Sequence, residues 1–436
     1  MFSQEQNDTL CRVEGDAPMG QLMRQHWLPA CLSEEVAAPD CSPLKTRLLG
    51  KTLVVFRDSE GKLGVLEDRC PHRKASLSFG RNEECGLRCL YHGWKFAVDG
   101  TVLDMASEPN SERKQQSFKH KAYPVRESGG FVWVYLGDEA TMTDFLPPAW
   151  APAPDIPVGV VKIHTPCNWA QVLEGSIDSA HSSSLHSTNM PTAEVAGSTA
   201  TEDAWFRPSS DKSPRLEIEM MDYGFRYAAL RVPIIDPETN VYVRTTEFIA
   251  PFTVLIPPNN QYNLAQMLVP IDDVNTMFYW VAWHPDPDKG ISQDAWRKFC
   301  AAEVGVELDA KYKKSINLEN MFKQDREAMK NGDFTGIRGI PAQDMAMWES
   351  MGTIADRTKD YLGVSDGAVA QFRRIMIAAA RNVLQGKPAI NTRAAGRQTN
   401  VSALASFEGM IPKDADWRLY ADGKAVMEED ADAKAA

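Results

Sequence analysis

Two short stretches of the chain each place a thiol and an imidazole side by side. The first reads Cys70-Pro-His72 and the second reads Cys89-Leu-Tyr-His92. Zinc fingers usually take two cysteines from one loop and two histidines from a helix, whereas here each loop offers one residue of each kind. A [2Fe–2S] cluster whose two irons take different ligands, two cysteines on one and two histidines on the other, needs that mixed supply. We predict such a cluster on these four residues, with structural zinc as the alternative.

A second group of possible metal ligands follows about ninety residues later. Asp178 and His181 are three residues apart and would share a face of a helix. His181 and His186 are five apart, so both reach one metal only if the helix loosens across 182–184, which a run of serines permits. Two histidines near a carboxylate are typical of core or surface residues, but they also begin an iron(II) site of two histidines and one carboxylate.

Both motifs together resemble a known family. The mixed Cys/His pairs are the Rieske pattern, and a following Glu174-x3-Asp178-x2-His181-x4-His186 resembles the signature of Rieske non-haem iron oxygenases, which hydroxylate aromatic rings. The resemblance covers the chain from "HWLPACL" at residue 26 to the last helix. The segments "CPHRKASLSFG", "CLYHGWKF" and "QDMAMWESMGTIADRT" look most like the branch that oxidises phthalate and other aryl carboxylates.

The resemblance implies further roles at the second metal site. In the family the third iron ligand is a carboxylate on a late helix, and Asp344 matches it, with Asp356 and Asp325 as alternatives. Asp178 matches the residue that accepts a hydrogen bond from the ligand corresponding to His181. In the family that residue also bridges to a cluster histidine of the next subunit, which corresponds to His92 here. A solvated carboxylate is the alternative for Asp178.

The expected reaction is addition of O₂ to an aromatic dicarboxylate, phthalate, to give a cis-4,5-dihydrodiol. A dicarboxylate in an apolar pocket needs cations, and arginine binds carboxylates through two parallel hydrogen bonds. Arg207 lies shortly after the iron motif, Arg244 lies inside a predicted strand, and Ser179 follows Asp178, so these three are the predicted substrate contacts. The reserve candidates are Arg226, Arg231 and Arg338.

The elements that must position these residues predict an α+β fold. Alternating β-branched runs and turn sequences on both sides of the cluster motif indicate a small all-β domain over 27–140. A Pro-rich stretch over 146–159 is typical of a linker. Beyond it, a helical pattern, several strands and a return to helix predict an antiparallel sheet flanked by helices over 141–436, with 1–26 packing on that larger catalytic domain.

The composition excludes several classes of protein. A formal net charge of -12 disfavours nucleic acid or an anionic membrane as a partner. The start of the chain lacks a signal-peptide pattern, its apolar runs are too short to span a bilayer, and eight cysteines in 436 residues are too few for a disulfide framework. We therefore expect a cytoplasmic protein.

Electrons must come from another protein, because no glycine-rich dinucleotide-binding motif follows a predicted strand. The resemblance implies a reductase that carries a flavin and a plant-type [2Fe–2S] centre, and a homo-oligomer built of trimers, single or stacked. Two rival functions stay open: a Rieske monooxygenase or O-demethylase of another aryl carboxylate, and a plain electron carrier or zinc-binding module.

Overall fold

The computed structural model of the protein describes residues 2–151, 156–201 and 204–425. Residues 152–155 of the predicted linker lie outside the described residues. No helix among the described residues is long and apolar enough to cross a membrane.

The first part of the chain forms short antiparallel strands, as its alternating sequence predicts. They are β1 (Trp27–Leu32), β2 (Leu44–Leu48), β3 (Lys51–Arg57), β4 (Leu63–Glu67), β5 (Arg81–Glu83), β6 (Gly86–Arg88), β7 (Trp94–Phe96), β8 (Val102–Met105), β9 (Val125–Ser128) and β10 (Phe131–Tyr135). These strands make three sheets, in the orders β1-β10-β9, β2-β3-β4 and β5-β6-β7-β8.

The second part contains one large antiparallel sheet. Its strands are β11 (Val158–Thr165), β14 (Arg215–Met221), β15 (Gly224–Arg231), β16 (Asn240–Ile249), β17 (Thr253–Ile256), β18 (Asn263–Asp272), β19 (Asn275–Trp283) and β20 (Glu408–Pro412), while β12 (Thr199–Ala200) and β13 (Trp205–Phe206) form a separate pair. The order is β11-β19-β18-β17-β16-β15-β14, and β20 pairs with the first half of β16.

Helices lie before, between and after the strands of this sheet in the sequence. They are α1 (Gln4–Cys11), α2 (Pro18–Met23), α3 (Glu112–Gln115), α4 (Trp169–Ser176), α5 (Gln293–Phe299), α6 (Arg326–Lys330), α7 (Ile340–Ser350), α8 (Gly367–Leu384) and α9 (Trp417–Ala421). Helices α1–α3 precede the sheet, α4–α8 lie between its strands β11 and β20, and α9 follows β20. The α+β class is thereby confirmed, with a small all-β part and a larger part that combines a sheet with helices.

The packing joins the two parts of the chain. The sheet β1-β10-β9 shares its hydrophobic core with the large sheet, and the rings of Phe131 and Tyr279 lie 5.2 Å apart, edge to face. The first two helices, α1 and α2, pack against α8 from the last part of the chain. The Cys/His loops have a core of their own, which contains Cys70 and Cys89.

Candidate metal centres and substrate cleft

The two Cys/His loops close in the same way. In the first, Cys70 N–H donates to Ala75 O (2.9 Å) and Lys74 N–H donates to Cys70 O (2.8 Å). In the second, Cys89 N–H donates to Trp94 O (2.8 Å). The fifth residue of each loop is in the left-handed region, with φ of 62° at Lys74 and 74° at the matching glycine. Two equivalent turns therefore present two equivalent cysteines.

The donor atoms of these loops fit a mixed cluster. Both cysteines are buried free thiols, and burial, with Cys89 nearby, raises the pKa of Cys70 to about 11, so a bound cation would be needed to hold thiolates there. The Nδ1 atom of His72 is buried and has no hydrogen-bond partner among the described residues. Its ring stacks on Trp94 and lies 4.4 Å from that of His92. The orphaned nitrogen is what a metal-ligating imidazole presents.

The second centre brings together residues from distant parts of the chain. His181 Nε2 and His186 Nε2 lie 3.1 Å apart, and Asp344 Oδ1 lies 3.5 Å and 3.1 Å from them, respectively. All three ligand atoms fall within 4.8 Å of one another. Two imidazoles and a carboxylate on one side of a point suit iron(II) and leave positions open.

The prediction that Asp178 and His181 share a face of a helix is wrong, because α4 ends at Ser176. The Asp178 side chain accepts from Ala180 N–H (2.8 Å), which is a local bond that competes with helix. A short 3₁₀ turn then covers His181–Ser183. The chain therefore loosens before the serine run, and the turn, not a shared helix face, aims both histidines at Asp344.

Asp178 lies beside the His181 ring, with 3.6 Å between Asp178 Oδ2 and His181 Nδ1. Burial acts to raise the pKa of Asp178, but the neighbouring imidazole outweighs it and lowers that pKa. Burial acts to lower the pKa of His181, but Asp178 and Asp344 outweigh it and raise that pKa. The geometry holds the His181 Nδ1 atom towards a carboxylate and leaves Nε2 facing the other two ligand atoms.

A cleft opens onto these ligands. Arg244 and Ser179 line it, together with aromatic walls from Trp205, Tyr227 and Trp280. Apolar walls with a few polar groups are typical of sites for small organic molecules.

The predicted Arg207 lies behind this cleft. Its Nε donates to Met190 O (2.9 Å) and its Nη1 lies 3.5 Å from the hydroxyls of Ser182 and Ser183. Burial, reinforced by the like charge of Arg244, lowers the pKa of Arg207 to about 10. Two of the predicted cations are therefore close to each other and to the iron ligands.

The three arginines held in reserve as substrate contacts lie in different surroundings. Arg231 is 3% exposed and donates from Nη2 to Ser179 O (2.7 Å) and Ser179 Oγ (3.2 Å). Arg226 pairs instead with Glu219 and Asp422. The Arg338 side chain is 76% exposed.

The alternative carboxylates are employed elsewhere, since Asp325 caps α6 and Asp356 caps the 3₁₀ turn at Arg357–Lys359. Both are exposed. Asp344 is thus the carboxylate that the fold delivers to the two histidines.

Sequence reasoning missed several polar residues near the site. Gln343 contacts His186, with 2.8 Å between its Oε1 and His186 Nδ1. Gln266 and Trp280, partners across β18 and β19, line the cleft, and Gln266 Oε1 and Trp280 Nε1 are buried without partners among the described residues. The one sequence signal for these residues was a glutamine within the segment of α7, which is otherwise apolar on most sides.

Comparisons with known proteins agree with this geometry. The Rieske [2Fe-2S] domain family matches residues 26–124, and the family described as LigXa C-terminal domain like matches residues 134–435. The match to the first identifies a [2Fe–2S] domain and disfavours structural zinc.

Full-length relatives are known as well. The phthalate 4,5-dioxygenase oxygenase subunit of Pseudomonas putida is 54% identical over 96% of this chain and 95% of its own. The 3-chlorobenzoate-3,4-dioxygenase oxygenase subunit of Comamonas testosteroni is 37% identical over 86% and 88%.

Among solved structures, the terminal oxygenase of carbazole 1,9a-dioxygenase from Novosphingobium sp. KA1 has the same fold. It superposes with a TM-score of 0.56 at 20% identity over 86% of this chain and 95% of that one. The cluster loops, the two-histidine, one-carboxylate centre and these matches lead to one conclusion: this chain belongs to the oxygenase subunits of the Rieske non-haem iron dioxygenases.

Proposed function

We propose that the chain is the terminal oxygenase that adds both atoms of O₂ to the ring of phthalate, giving the cis-4,5-dihydrodiol. One observation carries the substrate assignment. Arg207, Arg231 and Arg244 are 5%, 3% and 6% exposed, and none forms an ion pair with a carboxylate in the described part of the chain. Unpaired buried cations are costly, so an anionic ligand is expected. The 54% identical relative supports phthalate as that anion.

The metal groups supply the electron and the oxygen site. When bound, the cluster stores an electron and the mononuclear iron offers open positions to O₂. Cys70, His72, Cys89 and His92 would hold the cluster. His181, His186 and Asp344 would hold the iron.

The remaining residues orient the substrate. Arg244 lines the cleft and presents a planar guanidinium group, which matches a carboxylate in a fixed geometry. Arg207 is proposed as the second carboxylate contact, reaching it from behind the cleft lining. Ser179 Oγ accepts from Arg231, so its own proton is free to donate to a substrate oxygen. The aromatic walls cover the ring and exclude water from it. These contacts would hold one face of the ring towards the iron ligands.

A second function has some support. A 5,5'-dehydrodivanillate O-demethylase oxygenase subunit from Sphingobium sp. is 29% identical over 90% of this chain. It suggests a monooxygenase or O-demethylase of another aryl carboxylate, which would use the same metals with a different substrate pose.

The electron donor is a separate protein, as in the multi-component systems of the relatives. We propose a reductase with a flavin and a plant-type [2Fe–2S] centre, which uses NADH, and a cytoplasmic location. The acidic chain, with its net charge of -12, would be attracted to a basic docking face.

A trimer is the proposed assembly, following the family pattern, and an exposed apolar surface on the cluster loops supports a contact between copies. Phe79, Leu90 and Tyr91 are 76%, 60% and 56% exposed and lie in or next to the loops of His72 and His92. In the proposed assembly these residues are buried against the next copy, His92 lies near that copy's Asp178, and Asp178 links the cluster to His181.

Product analysis tests the proposal. Purified chain with a suitable reductase, NADH and O₂ is given phthalate, benzoate and methoxybenzoates, and products and iron content are measured. We expect a phthalate dihydrodiol carrying two atoms from ¹⁸O₂, and about three iron atoms per chain, two from the cluster and one mononuclear. Formaldehyde from a methoxybenzoate, without a dihydrodiol, would favour the demethylase instead.

A further inference from the structure

Gln343 is a buried residue whose side-chain amide makes three polar contacts. It is 1% exposed and precedes Asp344 on α7. Its Oε1 lies 2.8 Å from His186 Nδ1. Its Nε2 donates to Asn189 Oδ1 (2.8 Å) and to the backbone carbonyl of Ile337 (2.9 Å). A side chain this enclosed has one orientation available.

These partners determine which end of the amide faces the histidine. The Ile337 carbonyl can only accept, so the amide nitrogen of Gln343 must face it. The amide oxygen therefore faces His186, and because that oxygen can only accept, His186 Nδ1 must be the protonated nitrogen. The Nε2 atom of His186 is then left with its lone pair, and it lies 3.1 Å from Asp344 Oδ1.

We propose that Gln343 is a positioning residue, which fixes His186 in its Nδ1–H form and aims Nε2 at the mononuclear metal. The inference rests on the proposed metal-dependent function and adds a residue to it. Two adjacent residues of α7 then share one task. Asp344 contributes the carboxylate, and Gln343 orients the ring that shares the metal with it.

The Nδ1 atoms of the two histidines face groups of different charge. His181 Nδ1 faces the Asp178 carboxylate, whereas His186 Nδ1 faces a neutral amide. Groups that orient metal-bound histidines typically change metal affinity about 10–100-fold when they are replaced. A neutral acceptor on His186 orients the ring without adding a third negative charge next to Asp178 and Asp344.

The test uses Co(II) as the probe and reads metal affinity, not turnover. The mononuclear metal is removed with a chelator, the cluster is kept, and Co(II) is titrated with its visible d–d bands as the signal. We expect Gln343→Leu to weaken Co(II) binding about 10–100-fold, because His186 loses the acceptor that selects its tautomer.

Gln293 offers a control away from α4 and α7. It is half-buried and ties the start of α5 to β11, since its Nε2 donates to Val160 O (2.6 Å) and its Oε1 accepts from Val160 N–H (2.7 Å). It contacts no predicted ligand. Gln293→Leu should lower the thermal midpoint while leaving the Co(II) affinity and the d–d bands of the folded protein unchanged.

The outcomes separate the possible failures. Unchanged Co(II) affinity in Gln343→Leu, or an equal loss in Gln293→Leu, would overturn the positioning role. If wild-type protein binds no Co(II), or if Asp344→Ala binds it as well as wild type, the metal centre itself fails, and the proposed function fails with it. An intact cluster spectrum in every variant confirms that the comparison is between folded proteins.

Discussion

At the scale of single residues, buried arginines lie in and beside the proposed substrate cleft. Arg231 and Arg244 lie on neighbouring strands of the large sheet, where Arg244 faces Ala229 and Arg231 faces Tyr242. This diagonal relation puts both side chains on the same face. Glu408 lies opposite Arg244 on β20, but burial raises its pKa, so it is a poor counter-ion. We therefore expect a bound ligand to supply the counter-ion of these arginines.

Replacing Arg244 should discriminate between dianions and monoanions. Removing one partner of a buried charge pair costs about 2–5 kcal/mol, so Arg244→Met should weaken phthalate binding by roughly 30-fold or more. Benzoate has only one carboxylate, so one of the two substitutions, Arg207→Met or Arg244→Met, should weaken its binding far less. Phthalate binding should be weakened strongly by either substitution. Affinities from substrate titration provide the measurement.

Arg338→Met is the control for this series, because the Arg338 side chain is 76% exposed and should leave both affinities unchanged. Equal, small losses for both ligands in both cleft variants would remove the arginines from the substrate site and argue against a dicarboxylate.

A buried pair of a carboxyl and a phenol group, Glu247 and Tyr223, should make stability depend on pH. Burial raises the pKa of Glu247 from 4.5 to about 7, and Tyr223 OH donates to its carboxylate. The folded state thus binds a proton more tightly than the unfolded state, so the free energy of unfolding falls as pH rises from about 4.5 to about 7. The loss is on the order of 3 kcal/mol when complete.

The isosteric variant Glu247→Gln should remove this dependence. We expect a higher thermal midpoint than wild type at pH 8 and little difference at pH 4.5. Tyr223→Phe should act in the opposite direction at pH 8, because it removes a donor to the ionised carboxylate. Parallel pH profiles for wild type and Glu247→Gln would contradict the assignment.

At the scale of elements, the iron ligands depend on the contact between α4 and α7. A Cβ atom on Gly175 of α4 would lie 2.0 Å from Nε1 of Trp348 on α7. Trp348 is 4% exposed and packs near Phe278, with ring centroids 5.9 Å apart, so it has little room to move. The absence of a side chain at position 175 lets the two helices approach.

Gly175→Ala should therefore separate the helices and disrupt the metal centre. His181 and His186 follow α4 and Asp344 lies on α7, so their ligand atoms would move apart. We expect loss of the mononuclear metal with the cluster spectrum retained, measured as iron per chain and by visible absorption.

Gly367→Ala is the matched control at the start of α8. Its added Cβ would come no closer than 3.5 Å to Ile218, which is an ordinary contact, so full iron content is expected. Wild-type iron content in Gly175→Ala would show that the α4–α7 contact is not what holds the ligands together.

At the scale of the whole molecule, the shared core of the two parts limits how far the cluster loops can move. Phe131, on β10, packs on both Trp150 and Tyr279, and Lys162 of β11 pairs with Glu35 (2.6 Å) beside β1. Both contacts tie the small part to the large sheet. We therefore expect electron transfer to occur across a rigid assembly, and not by a swinging domain.

Mixed assemblies test whether electrons cross between copies. His92→Ala should disable the cluster and Asp344→Ala the mononuclear site, so each variant alone should be inactive. In a head-to-tail trimer, a 1:1 mixture should regain about a quarter of wild-type activity, because half the chains keep an iron site and half of their neighbours keep a cluster. Subunits must be exchanged or co-expressed before product formation is measured. No recovered activity in verified mixed trimers would place transfer within one chain.

The amino-acid sequence by itself determined the residues that lie in short, ordered motifs. Cys70, His72, Cys89 and His92 fall on two turns, and their types alone predict a mixed-ligand cluster. His181 and His186 are likewise close in sequence, so a local turn is enough to point both at one metal. The alternation of the strands and the helical period near the end of the chain predicted the α+β class, since both patterns follow from which side chains face the core.

Only the tertiary structure decided contacts between residues far apart in the chain. Resemblance suggested Asp344, but only packing of α7 on α4 brings its carboxylate to the histidines, and only the orientation of a buried amide identifies Gln343. Likewise, Arg226 pairs with Asp422 and Arg231 reaches Ser179, and each of these partners lies far away in the chain. Local sequence does not encode such differences, because they depend on which groups from distant segments surround each charge. The helix end at Ser176 has a local cause instead, because the Asp178 side chain accepts from Ala180 N–H and so competes with the helix.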